Sequence, residues 1–293
     1  MYKNLKIGMI FPGQGSQFVG MAKNLYDQER LIQEYFEIAA NCVDQNFVKL
    51  CFASSDEELL LTKNAQTATF LVSCSFFSLL KEKYGIMPML VAGHGFGQYS
   101  ALYAAGSLNF PDGLYLLKKR SEFMEEYMSR QNGGMLAVSK ITELELKKIV
   151  TFYDKPEDCV SVVELAHYNS PFDFTLTGTI PELLLIADEI KKQRGKTKML
   201  KVAGAFHSRM MREPQNLFRL YLEKVDICQS HIELINTVNG EKVSSCEELG
   251  TSLVEQFSAS VKWWDSFQQF KHCDVIIEIG PSSTLTAFVK DLF

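Results

Sequence analysis

The 293-residue sequence lacks the features that a metal centre, a nucleic-acid interface or a membrane span would need. Its seven cysteines are odd in number and widely spread, and none forms a Cys-x-x-Cys pair, which argues against a disulfide framework or a zinc site. Lysine and arginine total 30 against 35 acidic residues, so the net charge of −5 offers no electrostatic footprint for nucleic acid. No apolar run approaches the roughly 20 residues of a membrane helix.

The N-terminal segment is also unlike a secretion signal. The apolar run from Ile7 to Phe11 ends at Pro12-Gly13, and it is too short and wrongly flanked for a signal peptide. We therefore expect a cytoplasmic protein. A composition of 46% hydrophobic and 22% charged residues predicts a globular chain, and its length favours one large domain with a smaller insert.

The sequence outside its middle third alternates short apolar runs with helical spacings, the order of an α/β fold. Gly85 suits a helix C-cap, and Gly106 ends a later helix. The predicted strands are Ile7 to Phe11, Met89 to Ala92, Ile235 to Val238 and Val275 to Ile279, and the predicted helices are Met21 to Tyr26, Asn64 to Tyr84 and Gln98 to Ala105.

The middle of the chain follows a different order, strand-helix-strand-strand-helix-strand, which is typical of a ferredoxin-like unit. We therefore predict an inserted subdomain at residues 131–200, with residues 1–130 and 201–293 forming the large domain. The predicted strands are Met135 to Val138, Val160 to Glu164, Thr175 to Gly178 and Met199 to Ala203, and the predicted helices are Leu144 to Phe152 and Pro181 to Gln193.

The turn from Gly93 to Gly97 has the frame of a nucleophile elbow, Gly-x-Ser-x-Gly, but its central residue is Gly95. Flanking glycines let the backbone approach closely at such a turn, and the following helix offers free N–H groups to an oxyanion. On their own, these five residues favour an ordinary glycine-rich turn over an elbow. A dinucleotide site is disfavoured, because no glycine pair continues into Gly-x-Gly-x-x-Gly.

Further motifs place this turn in a longer pattern. They are Phe11-Pro12-Gly13-Gln14-Gly15-Ser16-Gln17, Gly93-His94-Gly95-Phe96-Gly97-Gln98-Tyr99-Ser100-Ala101, Asn169-Ser170-Pro171, Ala205-Phe206-His207-Ser208, Leu253-Val254-Glu255-Gln256 and Glu278-Ile279-Gly280-Pro281. Arg120 lies 25 residues beyond the centre of the turn. Together these motifs resemble the malonyl-CoA:acyl carrier protein transacylase family of fatty acid and polyketide synthesis, nearly end to end. The resemblance implies an α/β-hydrolase-like large domain with a ferredoxin-like insert and an active site between them.

The resemblance also implies a double displacement on a CoA thioester, with no cofactor. In the family, the elbow serine attacks malonyl-CoA, a histidine withdraws its proton, and the phosphopantetheine thiol of acyl carrier protein then attacks the acyl-enzyme. His207 matches that histidine, and the backbone N–H groups of Gln14 and Phe96 match the oxyanion hole. Arg120 resembles the residue that pairs in forked geometry with the malonyl carboxylate. The alternative for Arg120 is a helix-surface arginine.

Other site residues are assigned by the same resemblance. His94 would pack beside the site, Asn169 would support the active-site loop, and Gln256 would orient His207 through its backbone carbonyl or amide. Phe206 stands where malonyl-selective relatives carry phenylalanine. The remaining histidines, His167, His231 and His272, are predicted to be structural.

Two basic stretches are candidates for docking an acidic carrier protein. They are Lys191-Lys192-Gln193-Arg194-Gly195-Lys196 and Lys118-Lys119-Arg120. For the first, a solvated helix end is the alternative interpretation.

Glycine at position 95 removes the nucleophile that a double displacement requires. Ser100 does not replace it, because it lies roughly 7 Å further along the following helix and matches an ordinary family serine. The chain is therefore either a transacylase inactivated at one position or a non-catalytic protein that binds CoA or carrier protein. A third alternative is a thioester hydrolase in which His207 activates water. Arg120 argues against it, since hydrolytic relatives are expected to lack that arginine.

Overall fold

The computed structural model describes residues 5–155, 161–202, 204–243 and 245–290, which contain two β-sheets. The strands are β1 (Ile7–Phe11), β2 (Leu90–Gly93), β3 (Gly133–Ser139), β4 (Val163–Ser170), β5 (Asp173–Thr179), β6 (Lys196–Met199), β7 (Glu233–Asn236), β8 (Glu241–Lys242) and β9 (Val275–Glu278).

Helices cover most of the remaining chain. They are α1 (Lys23–Gln28), α2 (Arg30–Val43), α3 (Phe47–Ala53), α4 (Asp56–Leu60), α5 (Thr62–Tyr84), α6 (Gly97–Ala104), α7 (Phe110–Met128), α8 (Glu143–Tyr153), α9 (Ile180–Lys192), α10 (Arg212–Leu222), α11 (Cys246–Glu255), α12 (Trp263–Gln268) and α13 (Thr284–Val289), with short 3-10 turns at Arg209–Met211 and Gln269–His272.

The larger sheet has the strand order β8-β7-β2-β1-β9 and is parallel except for β8 at its edge. All five residues of β1 are buried, as expected for a central parallel strand covered on both faces. Met9 and Phe11 pack into the cluster formed by α2, α5 and α7, whereas Ile10 packs against Trp263 and Phe270 on the other face. The predicted α/β fold class is confirmed.

Two helix ends show how local sequence sets the element boundaries. Gly85 has a φ of 63°, and its N–H donates to the Lys81 carbonyl while the next N–H, of Ile86, donates to Leu80, which confirms the predicted C-cap after α5. The helix predicted from Met21 begins later, at Lys23, because Ala22 is left-handed with a φ of 66°.

The smaller sheet is antiparallel with the order β4-β5-β3-β6, and α8 and α9 pack on it around a core that contains Leu136, Leu146 and Ile186. Its elements follow the predicted strand-helix-strand-strand-helix-strand order.

Two of the predicted strand positions in this unit were wrong. Residue 160 lies outside the described residues, and β4 runs further along the chain, to Ser170. The strand predicted from Met199 to Ala203 ends at Met199, and residue 203 is not described. Because β6 is an edge strand with exposed Lys196 and Lys198, it lacks the apolar run that marks a buried strand in a sequence.

Within the described ranges, no helix is both long and apolar enough to cross a membrane.

Candidate active site

The glycine turn joins the end of β2 to the start of α6 with no room for side chains on either flank. A Cβ at Gly93 would lie 2.1 Å from the backbone of Gly97, and one at Gly97 would lie 2.3 Å from the carbonyl oxygen of Phe11. Gly95, between them, has a φ of 56°. The turn therefore has the left-handed central residue and the close backbone approach of a nucleophile elbow.

His207 faces the centre of this elbow. A Cβ placed on Gly95 would lie 3.6 Å from Nε2 of His207, an ordinary van der Waals contact. A hydroxyl attached to that Cβ would therefore come within hydrogen-bonding reach of Nε2. His207 is itself left-handed, with a φ of 60°, and its backbone N–H donates to the Phe257 carbonyl at 3.0 Å.

The electrostatic environment keeps the His207 imidazole neutral. Burial, together with the positive charge of Arg120 and the neighbouring His94, lowers the pKa of His207 to about 3. Its Nδ1 lies 3.3 Å from the carbonyl oxygen of Ala259, an acceptor that selects the Nδ1–H tautomer. The unprotonated Nε2 then points toward position 95, which is the arrangement that a general base requires.

Arg120 is a buried cation in the same cavity. Only 2% of it is exposed, so the alternative of a helix-surface arginine is wrong. Its Cζ lies 5.0 Å from the centroid of the Phe257 ring, and burial lowers its pKa to about 10. No acidic side chain among the described residues pairs with it, and its buried Nε has no hydrogen-bond partner there. Such a guanidinium is prepared for an anionic ligand.

Two backbone donors lie beside the elbow. Phe96 is the N-cap residue of α6, and Gln14 follows β1 and Gly13. Within the part of the chain that the structure describes, neither backbone N–H has an acceptor. Both residues line the cavity with Gly95 and His207. This placement is compatible with the oxyanion hole implied by the resemblance.

The residues assigned to support the site are all close to it. His94 Nε2 and Asn169 Oδ1 are 2.9 Å apart, and Phe206 lines the cavity. The structure gives Gln256 an additional contact, since its side-chain Nε2 donates to the Gly95 carbonyl at 2.7 Å. A hydrogen bond with the backbone of Gln256 also raises the pKa of His207 and so partly opposes the effect of burial.

An inner cavity and an outer groove meet at the elbow. The inner cavity, of about 60 Å³, contains Gly95, Arg120, Phe206 and His207 among its lining residues. The outer groove, of about 490 Å³, runs between β3, β6 and the N-terminus of α13. Both are lined by Gln14, His94, His167 and Leu200, which we call the neck.

His167 was predicted to be structural, but the structure places it in the neck. Its ring centroid lies 4.7 Å from that of His94 and 4.9 Å from that of His207. The available signal was its position on β4, two residues before Asn169, because residues two apart tend to share a strand face.

The other candidates lie elsewhere. His231 packs against Gly106, His272 is exposed, and Ser100 is buried in α6 away from the cavity lining. Among the described residues, no group of three or more histidine, cysteine or acidic side chains is arranged to hold a metal ion.

The two basic stretches differ in what they offer a partner. Arg120 is buried, Lys118 donates to the Val43 carbonyl and Lys119 pairs with Glu122, so these three side chains are engaged within the chain. In the other stretch, Lys191 and Lys192 form ion pairs with Asp188 and Glu189 of the same helix. Its last residue, Lys196, lines the outer groove, as does Lys198.

Comparisons with known proteins agree on one family. Residues 9–293 match the model of the acyl transferase domain. The chain is 35% identical over 289 residues to malonyl CoA-acyl carrier protein transacylase from Bacillus subtilis strain 168, covering 97% of this chain and 90% of the relative.

Solved structures show the same similarity. A malonyl CoA-acyl carrier protein transacylase from Clostridium perfringens has a TM-score of 0.90 and 30% identity, covering 97% of this chain and 89% of that chain. A chain from a complex of a type II PKS acyl-carrier protein with its malonyl-transacylase has a TM-score of 0.92 and 25% identity, covering 97% and 92%.

Proposed function

The chain belongs to the acyl transferase domain family, and we propose that it is a malonyl-CoA:acyl carrier protein transacylase whose chemistry is impaired by glycine at position 95. Its substrates are malonyl-CoA and the phosphopantetheine thiol of an acyl carrier protein of fatty acid or polyketide synthesis. This assignment is supported by a relative whose name includes malonyl CoA and acyl carrier protein. One similar solved structure is a complex of an acyl-carrier protein with its malonyl-transacylase.

The observation that carries the proposal is the buried guanidinium of Arg120, which no acidic side chain of the described residues pairs with and which lies in the cavity with Gly95 and His207. The free carboxylate of a malonyl thioester supplies the missing counter-charge, and a planar guanidinium binds it through two parallel hydrogen bonds. With the carboxylate there, the thioester carbonyl reaches the elbow and the rest of CoA extends through the neck into the outer groove.

The arrangement is suited to acyl transfer once position 95 carries a hydroxyl. His207 Nε2 takes the proton of the serine hydroxyl as its oxygen attacks the thioester carbonyl. The N–H groups of Gln14 and Phe96 stabilise the oxyanion, and the CoA sulfur leaves with the proton from His207. The carrier thiol then gives its proton to His207 and attacks the malonyl ester, which releases the serine and completes the transfer.

With glycine at position 95, no ester can form and the double displacement stops before its first bond. Loss of the central member of such a unit costs several orders of magnitude in rate and leaves what oxyanion stabilisation and binding supply. The chain as written therefore binds malonyl-CoA without efficient turnover. The buried position of Arg120 argues against the hydrolase alternative, since hydrolytic relatives are expected to lack that arginine.

Malonyl transfer to holo acyl carrier protein, followed by intact-protein mass spectrometry, tests the proposal. We would compare the chain with its Gly95→Ser and Gly95→Ala variants, the alanine serving as a side-chain control without a nucleophile. Transfer by the serine variant alone supports a transacylase silenced at one position. If the chain and both variants bind malonyl-CoA but none transfers, a non-catalytic binding protein replaces our proposal. Release of free malonate by the unchanged chain would instead indicate a hydrolase.

We also propose a cytoplasmic location. The six cysteines within the described residues are unpaired, which is the state expected in a reducing compartment.

A further inference from the structure

Two neck side chains have a buried nitrogen without a hydrogen-bond partner among the described residues, Nε2 of Gln14 and Nε2 of His167, and the proposed reaction gives the His167 ring no role. Among the neck residues, Leu200 is apolar, His94 is bound to Asn169, and Gln14 supplies an oxyanion donor. Nε2 of His167 is buried and has no hydrogen-bond partner among the described residues. A buried polar atom without a partner costs free energy, so it is satisfied either by water or by a ligand.

His167 is suited to bind a neutral group. Burial and the adjacent His94 and His207 hold its pKa well below the usual histidine range, so the ring carries no charge at neutral pH. A neutral imidazole offers one N–H donor and one acceptor nitrogen. It therefore matches an amide far better than it matches the phosphates or the carboxylate of a CoA thioester.

The position of the neck determines which part of the substrate meets His167. If the malonyl carboxylate lies on Arg120 and the thioester carbonyl at Gly95, the segment that passes His94 and His167 is the pantetheine arm attached to the sulfur. In CoA and in the carrier-protein prosthetic group alike, two methylene groups follow the sulfur, and an amide is the next polar group. The inner cavity, of about 60 Å³, is much smaller than the outer groove, of about 490 Å³, so we place that amide in the neck rather than beside the acyl group.

We propose that His167 contacts the substrate through a hydrogen bond from its ring to the pantetheine amide nearest the thioester, and so selects pantetheine thioesters over simple alkyl thioesters. This inference rests on the proposed function, because it takes the orientation of the thioester from Arg120. The same contact serves both half-reactions, since CoA and the carrier protein present an identical arm.

Two small thioesters test the contact directly. Malonyl-N-acetylcysteamine contains the amide, whereas the malonyl thioester of a straight-chain alkanethiol of equal length replaces it with methylene groups. The chain as written is suited to equilibrium titrations by NMR, because glycine at position 95 prevents acylation. We expect the amide-containing thioester to bind about five- to tenfold more tightly, as one hydrogen bond to a buried neutral group would give.

Three variants identify the residue responsible. His167→Phe should abolish the preference for the amide-containing thioester, whereas His167→Gln, which keeps a donor and an acceptor, should retain part of it. His272→Phe, at an exposed site, should behave like the unchanged chain. Malonate is titrated as well, because it engages Arg120 without reaching the neck, and its unchanged affinity shows that the variants are folded.

The outcomes separate this inference from the proposed function. If the unchanged chain binds neither malonate nor either thioester, the proposed function is wrong, and this inference with it. If it binds malonate and both thioesters equally, or if His167→Phe keeps the preference, the inference about His167 alone is overturned.

Discussion

The side-chain amide of Gln256 holds the carbonyl oxygen of Gly95 through a 2.7 Å hydrogen bond that spans 161 residues of sequence. The next residue, Phe257, accepts the backbone N–H of His207 and places its ring under Arg120. A two-residue segment after α11 therefore contacts the elbow, the histidine and the arginine, and so aligns all three.

Loss of this contact should loosen the elbow. We expect Gln256→Met to lower the free energy of unfolding by about 1 kcal/mol, the net value of one hydrogen bond, and to reduce malonyl transfer in the Gly95→Ser background. The Gly95 carbonyl keeps its second donor, the N–H of Gln98, which limits the loss of stability.

A matched control for this substitution exists far from the site. Gln269 also donates its side-chain amide to a glycine carbonyl, that of Gly240, at 3.2 Å. Gln269→Met should lower stability to a similar degree, measured by urea unfolding, and leave transfer by the Gly95→Ser background unchanged. Equal losses of transfer in both variants would contradict an aligning role for Gln256.

A side chain at position 95 should cost stability whether or not it reacts. Because Gly95 has a φ of 56°, we expect both Gly95→Ala and Gly95→Ser to lower the free energy of unfolding by about 1 kcal/mol. The Cβ meets no atom closer than 3.6 Å, so no clash adds to this strain. Gly85→Ala, at a left-handed helix cap in open space, is the comparison. A much larger loss at position 95 than at position 85 would show that the elbow does not accept a side chain.

Arg120 should strengthen binding of the malonyl thioester while it lowers the stability of the ligand-free protein. We expect Arg120→Met to raise the free energy of unfolding by about 1 kcal/mol, since it removes a buried charge that no described acidic side chain neutralises, at the loss of a contact with Phe257. It should also weaken malonyl-CoA binding about 100-fold or more and leave acetyl-CoA binding nearly unchanged. Calorimetry with both thioesters measures this difference, and equal losses for both would contradict carboxylate recognition.

The buried histidines should make stability fall in mild acid. The pKa of His207 is lowered to about 3 and that of His94 to about 4, chiefly by burial, whereas both titrate near 6.5 in the unfolded chain. Below pH 6.5 the unfolded state therefore binds protons that the native state does not. The native state loses stability as the pH falls toward the native pKa values, and no such penalty exists above pH 6.5.

Urea unfolding between pH 6 and pH 5 measures this effect. Removal of one such histidine, as in His207→Gln, should reduce the slope of stability against pH by about 1 kcal/mol per unit. His272→Gln, at an exposed site, is the control substitution. An unchanged slope in His207→Gln would mean that His207 is protonated as readily in the native state as in the unfolded chain.

Local patterns predicted the parts of the fold that depend on near neighbours. The apolar run of β1, the helical spacing of α5 and its glycine cap follow from interactions within a few residues, and the structure contains all three. The strand β6 was misplaced because an edge strand with exposed lysines lacks the apolar signal of a buried one.

The sequence predicted which residues form the candidate site but not how these residues are arranged in space. Motif order along the chain pointed to Gly95, Arg120 and His207, since their residue types and spacing carry the resemblance. Nothing in the spacing indicated that Arg120 is buried with no acidic partner among the described residues, because its neighbours in sequence, Lys118 and Lys119, are both more exposed than it is. The position of His167 beside the site was also missed, because the two rings that it contacts, those of His94 and His207, are distant from it in sequence.

By itself, the sequence determined the fold class, the family and the absence of a nucleophile at position 95, because these depend on residue identity and local periodicity. Only the tertiary structure decided that Nε2 of His207 faces Gly95, that no acidic side chain in the described part of the chain pairs with Arg120, and that His167 lies in the neck beside His94. Each of these depends on distances between elements that are far apart in the chain. Burial and hydrogen bonding set those distances only when the two sheets and their helices pack together.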